Sequence, residues 1–168
     1  VGMMMMAESI DIWDLQKTKN DYHVLFNEWA ERDLENMVRH YRNNASVVMW
    51  SIGNEVWNQT KEDGWMTAKW LQAICHRLDV TRPVTCGSDQ LWCILDNGFS
   101  AALDIPGFNY RTHRYEEAHQ KLPGKLILGS ETASTVSTRG NYTFPVRIQP
   151  DALYPNQQCS GYDVEYCS

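Results

Sequence analysis

The stretch from Arg32 to Glu55, RDLENMVRHYRNNASVVMWSIGNE, contains the change of hydrophobic period that decides the fold class. From Asn27 to Arg42 the apolar residues Trp29, Ala30, Leu34, Met37, Val38 and Tyr41 recur at helical spacing, with Glu28, Glu31, Arg32, Asp33, Glu35 and Arg39 between them. One stripe of such a helix is apolar and the other charged. Asn43-Asn44 stops it. From Val47 the period vanishes: Val47-Val48-Met49-Trp50-Ser51-Ile52 is β-rich, does not alternate, and ends at Gly53-Asn54-Glu55. A strand without alternation reads as buried on both faces, the signature of a parallel sheet.

The same cycle recurs on either side. Upstream, Val1 to Ala7 is an apolar run that turns polar at Glu8, Ser9 and Asp11, as a buried strand does on reaching a functional rim. Downstream, a helix is expected from about Asp63 to Leu78, then a break at Thr81-Arg82-Pro83 and a short strand, Val84 to Cys86, leading into Gly87-Ser88-Asp89. Another strand is expected around Ile105 to Asn109 and a helix from Tyr115 to Lys121. After the Pro123-Gly124 turn, Lys125 to Leu128 ends at Gly129-Ser130-Glu131. Residues 132–168 read as an irregular loop region. With 168 residues and 43% hydrophobic content the chain can bury one core, so residues 1–168 are read as one domain. Polar clusters follow the strands and never precede them, which favours a barrel over an open doubly wound sheet. Only about five strands are legible, and eight need roughly 200 residues or more. The expected fold is therefore an α/β parallel (β/α)8 TIM barrel, incomplete.

A formal charge of -6 disfavours nucleic acid or an anionic membrane surface as partner. A neutral ligand fits better, and seven Trp and eight Tyr are compatible with a sugar, although ordinary packing is the better explanation of most of them. No apolar run is long enough to cross a bilayer. The five cysteines, Cys75, Cys86, Cys93, Cys159 and Cys167, match no metal-binding spacing and are read mostly as free thiols. The five histidines form no HExxH pattern, and no protein-built zinc site is expected. P-loop, GxGxxG and GxSxG motifs are absent. Neither export nor oligomeric state is fixed by the sequence.

Asn54-Glu55 and Glu131 stand at the ends of two different expected strands, on one rim. Retaining glycoside hydrolysis needs two such carboxylates, one protonated to cap the leaving oxygen and one ionised to attack the anomeric carbon. On spacing alone, two solvated strand-end carboxylates are an equal reading.

Longer motifs shift that balance. RDLENMVRHYRNNASVVMWSIGNE resembles the acid/base region of glycoside hydrolase family 2, with Asn44-Ala45 where that family usually has His-Pro. PGFNYRTHRYEEAH, from Pro106 to His119, and LILGSETASTVSTRG, from Leu126 to Gly140, resemble the nucleophile-strand region of β-galactosidase-like members. Weaker likeness extends to MMMMAESIDIW at the start and CSGYDVEYCS at the end.

The resemblance implies a TIM-barrel segment from about the third strand to just beyond the seventh, acting on terminal β-D-galactosides by double displacement. β-Glucuronidase, β-mannosidase or a non-catalytic carbohydrate-binding remnant are the alternatives. It assigns Glu55 as acid/base and Glu131 as nucleophile, with Asn54 on the sugar 2-hydroxyl, Tyr110 on the nucleophile and Asn109 beside it. Glu8 and Asp11 are candidate sugar contacts, although both could be solvated or support other groups; core packing is open for Asn109 and Tyr110, and Asn54, following a Gly, could simply make the turn. Some members hold Mg²⁺ through an acid and a His near the third strand, a pair that Ile10-Asp11-Ile12-Trp13-Asp14 does not reproduce, so no cofactor is expected. With an arginine of the second strand and an aromatic of the eighth outside the stretch, the isolated polypeptide is expected to turn over little or nothing.

Overall fold

The computed structural model describes residues 2–132. Within them lie five strands, β1 (Met5–Glu8), β2 (Val47–Asn54), β3 (Val84–Ser88), β4 (Gly107–Asn109) and β5 (Leu128–Glu131). All neighbours pair in parallel, in the order β1-β2-β3-β4-β5, and the sheet is a curled half-barrel. The helices are α1 (His23–Tyr41), α2 (Gly64–Leu78), two short ones, α3 (Leu91–Ile94) and α4 (Phe99–Ala102), and α5 (Tyr115–Lys121). Parallel neighbours need a crossover, and the helices supply it.

The core follows from the periodicity. α1 buries Phe26, Ala30, Leu34 and Val38, each four residues after the last, and α2 buries Ala68, Leu71, Ile74 and Cys75, at spacings of three and four. These pack with Trp50, Ile52, Val84, Cys86 and Phe108 of the strands. α1 begins at His23, four residues before the expected start, because Val24 and Leu25 are exposed and interrupt the apolar stripe. α3 and α4 escaped the sequence reading because four residues are too few to show a period. Cys75, Cys86 and Cys93 are free thiols, whereas Cys159 and Cys167 lie outside the described residues.

One expectation is corrected. Met3 to Met6 read as a buried strand, yet all four are exposed, Met3 by 74% and Met4 by 77%, and β1 starts only at Met5. Among the described strands β1 pairs with β2 alone, so the run is a sheet edge. Composition does not distinguish an apolar edge from a buried centre.

At the end of the sheet opposite the carboxylates, Asp79, Thr81 and Arg82 knot two turns together. Arg82 Nη1 donates to Asp79 Oδ2 at 2.6 Å, Nε to the Val47 carbonyl at 2.5 Å and Nη2 to the Asn44 carbonyl at 3.2 Å. The guanidinium also lies over the Trp50 ring, 5.6 Å from its centroid, while Trp50 Nε1 donates to Asp79 Oδ2 at 3.2 Å. The Asn44-Ala45 turn is thus held from outside by Arg82 and from within by Ser46 N–H on Asn44 Oδ1 at 3.0 Å.

Gly64 opens α2 where a Cβ would stand 1.8 Å from the Asn58 carbonyl oxygen and 2.7 Å from its carbon. Backbone cannot yield as a side-chain end can. Gly64→Ala is expected to lose about 1–3 kcal/mol, as overpacked sites do, and a lower urea midpoint at unchanged m value would show it.

Candidate active site

The rim is built where β2, β4 and β5 end. After Gly53 and Asn54 the backbone turns sharply and Glu55 takes φ of 48°, a left-handed conformation unusual outside glycine. That strain costs on the order of 1 kcal/mol or more and persists only where neighbours over-determine it. Here they do. Asn54 N–H donates to the Asp11 carbonyl at 3.0 Å, Glu55 N–H to the Gly87 carbonyl at 2.8 Å, and Lys17 Nζ to the Asn54 carbonyl at 2.5 Å.

Asn109, fully buried at the end of β4, ties the rim together. Its Nδ2 donates to Asn54 Oδ1 at 2.9 Å and to Glu55 Oε1 at 2.8 Å, and its Oδ1 accepts from Ser130 Oγ at 2.7 Å. Gly87 leaves room for this: a Cβ there would stand 2.5 Å from Asn54 Oδ1 and 3.1 Å from Asn109 Oδ1. The next two residues, Tyr110 and Arg111, are also left-handed, at φ of 59° and 55°. Tyr110 N–H donates to the Glu131 carbonyl at 2.5 Å, and the Tyr110 hydroxyl donates to Glu131 Oε2.

Burial pushes the Glu55 carboxyl above the usual carboxylate range. The Asn109 bond opposes this, the charges of Asp89 and Glu131 add to it, and the Lys17 charge pulls the other way. Burial likewise raises Glu8, against the pull of its hydrogen bond from Ser51 Oγ at 2.5 Å. Tyr110 is raised well above an ordinary tyrosine, first by burial and then by its bond to Glu131, so its hydroxyl stays a donor.

Five of the seven residues singled out in the sequence therefore meet: Asn54, Glu55, Asn109, Tyr110 and Glu131. Glu8 stands at the end of β1 on Ser51 of β2, and Asp11 is mostly exposed and faces Lys17 at 3.2 Å. Lys17 was not foreseen. It reaches the site because Asp21 accepts from Lys17 N–H at 2.7 Å, Thr18 N–H at 2.6 Å and His23 N–H at 3.0 Å, folding residues 17–23 back on themselves. Trp13, buried, pins the same loop by donating Nε1 to the Ile52 carbonyl at 2.7 Å. The Lys17 ammonium supplies positive charge beside Asp11, so the donors at this end of β1 do not fit a Mg²⁺ site. Lys17→Met removes a cation that favours the carboxylate form, and the Glu55 titration midpoint is expected to rise. Carboxyl-carbon NMR across pH would show the shift.

The family model described as glycosyl hydrolases family 2, TIM barrel domain, matches residues 3–152. The chain belongs to glycosyl hydrolase family 2. It is 32% identical over 176 residues to Beta-galactosidase BoGH2A of Bacteroides ovatus, an alignment covering 86% of this chain and 21% of that protein. A solved glycosyl hydrolase family 2 member from Bacteroides cellulosilyticus superposes with a TM-score of 0.74 at 36% identity, over 80% of this chain and 17% of that one. The Bacteroides uniformis beta-glucuronidase shares the fold, with a TM-score of 0.64 at 21% identity, over 81% of this chain and 18% of that one. The chain thus spans about a fifth of the length of the curated relative.

Membership in glycosyl hydrolase family 2 gives the strand-end arrangement its setting, since barrel enzymes carry their chemistry on this face. Ser130, Gly87 and Asp89 also went unremarked as site residues. Their one sequence signal was position after a strand, which Gly87-Ser88-Asp89 and Gly129-Ser130-Glu131 share with Gly53-Asn54-Glu55.

Proposed function

We propose that the protein is a retaining β-glycosidase of glycosyl hydrolase family 2, hydrolysing terminal β-D-galactosides by double displacement. The observation that carries this is one buried amide, Asn109, bonded at once to Glu55 and to the residue before Glu131, at the ends of parallel strands. Glu131 attacks the anomeric carbon and forms a glycosyl ester while Glu55 gives its proton to the leaving oxygen. Burial raises the Glu55 carboxyl, which favours the protonated form that step needs. In the second half Glu55 takes a proton from water, which attacks the ester and releases the sugar with its configuration retained.

Tyr110 holds Glu131 in place through its hydroxyl. Asn54, with Oδ1 engaged by Asn109, presents its Nδ2 to the sugar 2-hydroxyl. Glu8 and Asp11 serve the sugar from the β1 side, and Lys17 fixes Asp11. Galactose is favoured over glucuronic acid or mannose by the likeness to the Bacteroides ovatus β-galactosidase.

Hydrolysis of aryl β-galactoside, β-glucuronide and β-mannoside by the full-length protein, with NMR of the first-formed anomer, tests this. Galactoside turnover releasing the β anomer first is expected. A preference for glucuronide or mannoside would reassign the sugar, the α anomer would end the double displacement, and no turnover of any would leave a carbohydrate-binding protein.

A further inference from the structure

The peptide group between Asn54 and Glu55 is gripped from both flanks. Its N–H donates to the Gly87 carbonyl at 2.8 Å, on the β3 side, and its carbonyl accepts from Lys17 Nζ at 2.5 Å, on the β1 side. The N–H and C=O of a trans peptide point in opposite directions, so two neighbouring loops hold one peptide plane between them. Turning that plane over would break both bonds at once.

The two grips differ in what secures them. On the β3 side the acceptor is backbone, and the loop beyond it is fixed. Gln59, buried, donates Nε2 to Asp89 Oδ1 at 2.9 Å and accepts from Gln90 N–H at 3.2 Å through Oε1, while Arg111 Nε donates to the Asp89 carbonyl at 2.7 Å. On the β1 side the segment after the strand tracks the end of β2. Trp13 Nε1 donates to the Ile52 carbonyl at 2.7 Å, and Asn54 N–H reaches the Asp11 carbonyl at 3.0 Å. Gly53 lets the indole close in, since a Cβ there would stand 2.8 Å from Trp13 Nε1. The contact on the Asn54 carbonyl ends this series and is made by a flexible side chain. Lys17 Nζ is aimed there by Asp11, whose carboxylate oxygens lie 3.2 and 3.3 Å from it, and by Asp21, which fixes the Lys17 N–H at 2.7 Å.

The strain at Glu55 is what this bond opposes. A residue other than glycine at φ of 48° relaxes when the peptide before it rotates. That rotation swings the side chain, and with it the carboxyl that Asn109 Nδ2 meets at 2.8 Å. Hydrogen bonds from an ammonium are about twice as strong as those between neutral groups, which suits a donor holding strained backbone. A lysine serving only as a surface ion pair would leave its ammonium in solvent, whereas the Lys17 side chain is 24% exposed and ends on a carbonyl. We infer that Lys17 is a positioning residue for the acid/base, its ammonium holding the Asn54–Glu55 peptide so that the Glu55 carboxyl faces the leaving oxygen. This rests on the glycosidase reading and extends it to a side chain bonded to the backbone before Glu55.

Proton donation matters in proportion to the leaving group's need of it, and two substrates of the full-length protein use that. Phenyl β-galactoside has a poor leaving group, and that of dinitrophenyl β-galactoside departs unaided. With kcat/KM followed across pH, Lys17→Met is expected to lower the phenyl plateau about tenfold or more, the scale of a misplaced catalytic group, and to leave the dinitrophenyl plateau within about twofold. The charge of Lys17 acts separately: with Asp89 and Glu131 it bears on the Glu55 carboxyl, and its loss alone would carry the alkaline fall to higher pH at an unchanged plateau. Lys17→Gln, uncharged and one bond shorter, is expected to show the same ratio of the two substrates, so a methionine variant that does not fold leaves the test standing. Both rates come from one sample, and their ratio is independent of the amount folded. Equal loss on both substrates, no loss on either, or an alkaline fall moved at an unchanged phenyl plateau would overturn the positioning role while the glycosidase reading stands. Failure of the unaltered protein to turn over dinitrophenyl β-galactoside would overturn that reading and this one with it.

Discussion

Replacing Glu131 with glutamine is expected to lower kcat of the full-length protein on an aryl β-galactoside by about 10⁴-fold or more, the scale of removing a nucleophile that acts as part of a unit. The amide cannot attack the anomeric carbon, yet its oxygen can still accept from Tyr110, whose bond to Glu131 holds the strand end in place. Stability should therefore change little. Activity loss with an unchanged melting curve separates a chemical role from a structural one. Removing the side chain altogether, as Glu131→Ala, opens the face that the nucleophile occupied, and azide added there should give the α-galactosyl azide. Recovery of the β azide from this variant, or full activity in the glutamine variant, would take the nucleophile's role from Glu131.

The second large effect is at Glu55 and depends on the leaving group. A poor leaving group needs the proton, so Glu55→Gln should cost about 10²–10⁴-fold on such substrates. A dinitrophenyl galactoside, whose leaving group departs unaided, should show a much smaller loss in kcat/KM. The pH profile carries the sign. Burial raises the Glu55 carboxyl, so the acid form persists above the ordinary carboxylate range and is lost as pH climbs past that raised value. The unaltered protein should show an alkaline limb in kcat/KM that the glutamine variant lacks. Azide should rescue Glu55→Ala with the β product, opposite to the Glu131 variant. An alkaline limb that survives in Glu55→Gln would assign it to another group.

The parts of this site that the sequence disclosed are those fixed by local pattern. Gly53-Asn54-Glu55 and Gly129-Ser130-Glu131 each close a β-rich run, and a strand's end is where a barrel puts its chemistry. Asn109 and Tyr110 needed the longer family motif, because nothing local distinguishes a buried Asn that bridges three strand ends from one that makes a turn. Lys17 was hidden for a different reason: its contact with Asn54 crosses 37 positions of sequence and exists only after Asp21 has folded the intervening loop. Gln59 was hidden likewise, its partners lying 30 residues and more away. For Met3 to Met6 the pattern gave the element and missed its surroundings, since burial belongs to the sheet and not to the strand.

The strand order has a consequence for how such a chain is made. Along the described sheet each strand pairs with the one before it in sequence, Val47 with Met5, Val84 with Trp50, Gly107 with Gly87 and Leu128 with Gly107. A polypeptide leaving the ribosome can therefore dock every new strand on one already finished, and none of these strands has to wait for a partner not yet synthesised. The loop to be closed also shortens, from 42 residues between Met5 and Val47 to 21 between Gly107 and Leu128. Halving it eases closure by only about 0.6 kcal/mol, so the gain lies less in energy than in timing: the edge awaiting Glu131 is complete before Glu131 is translated.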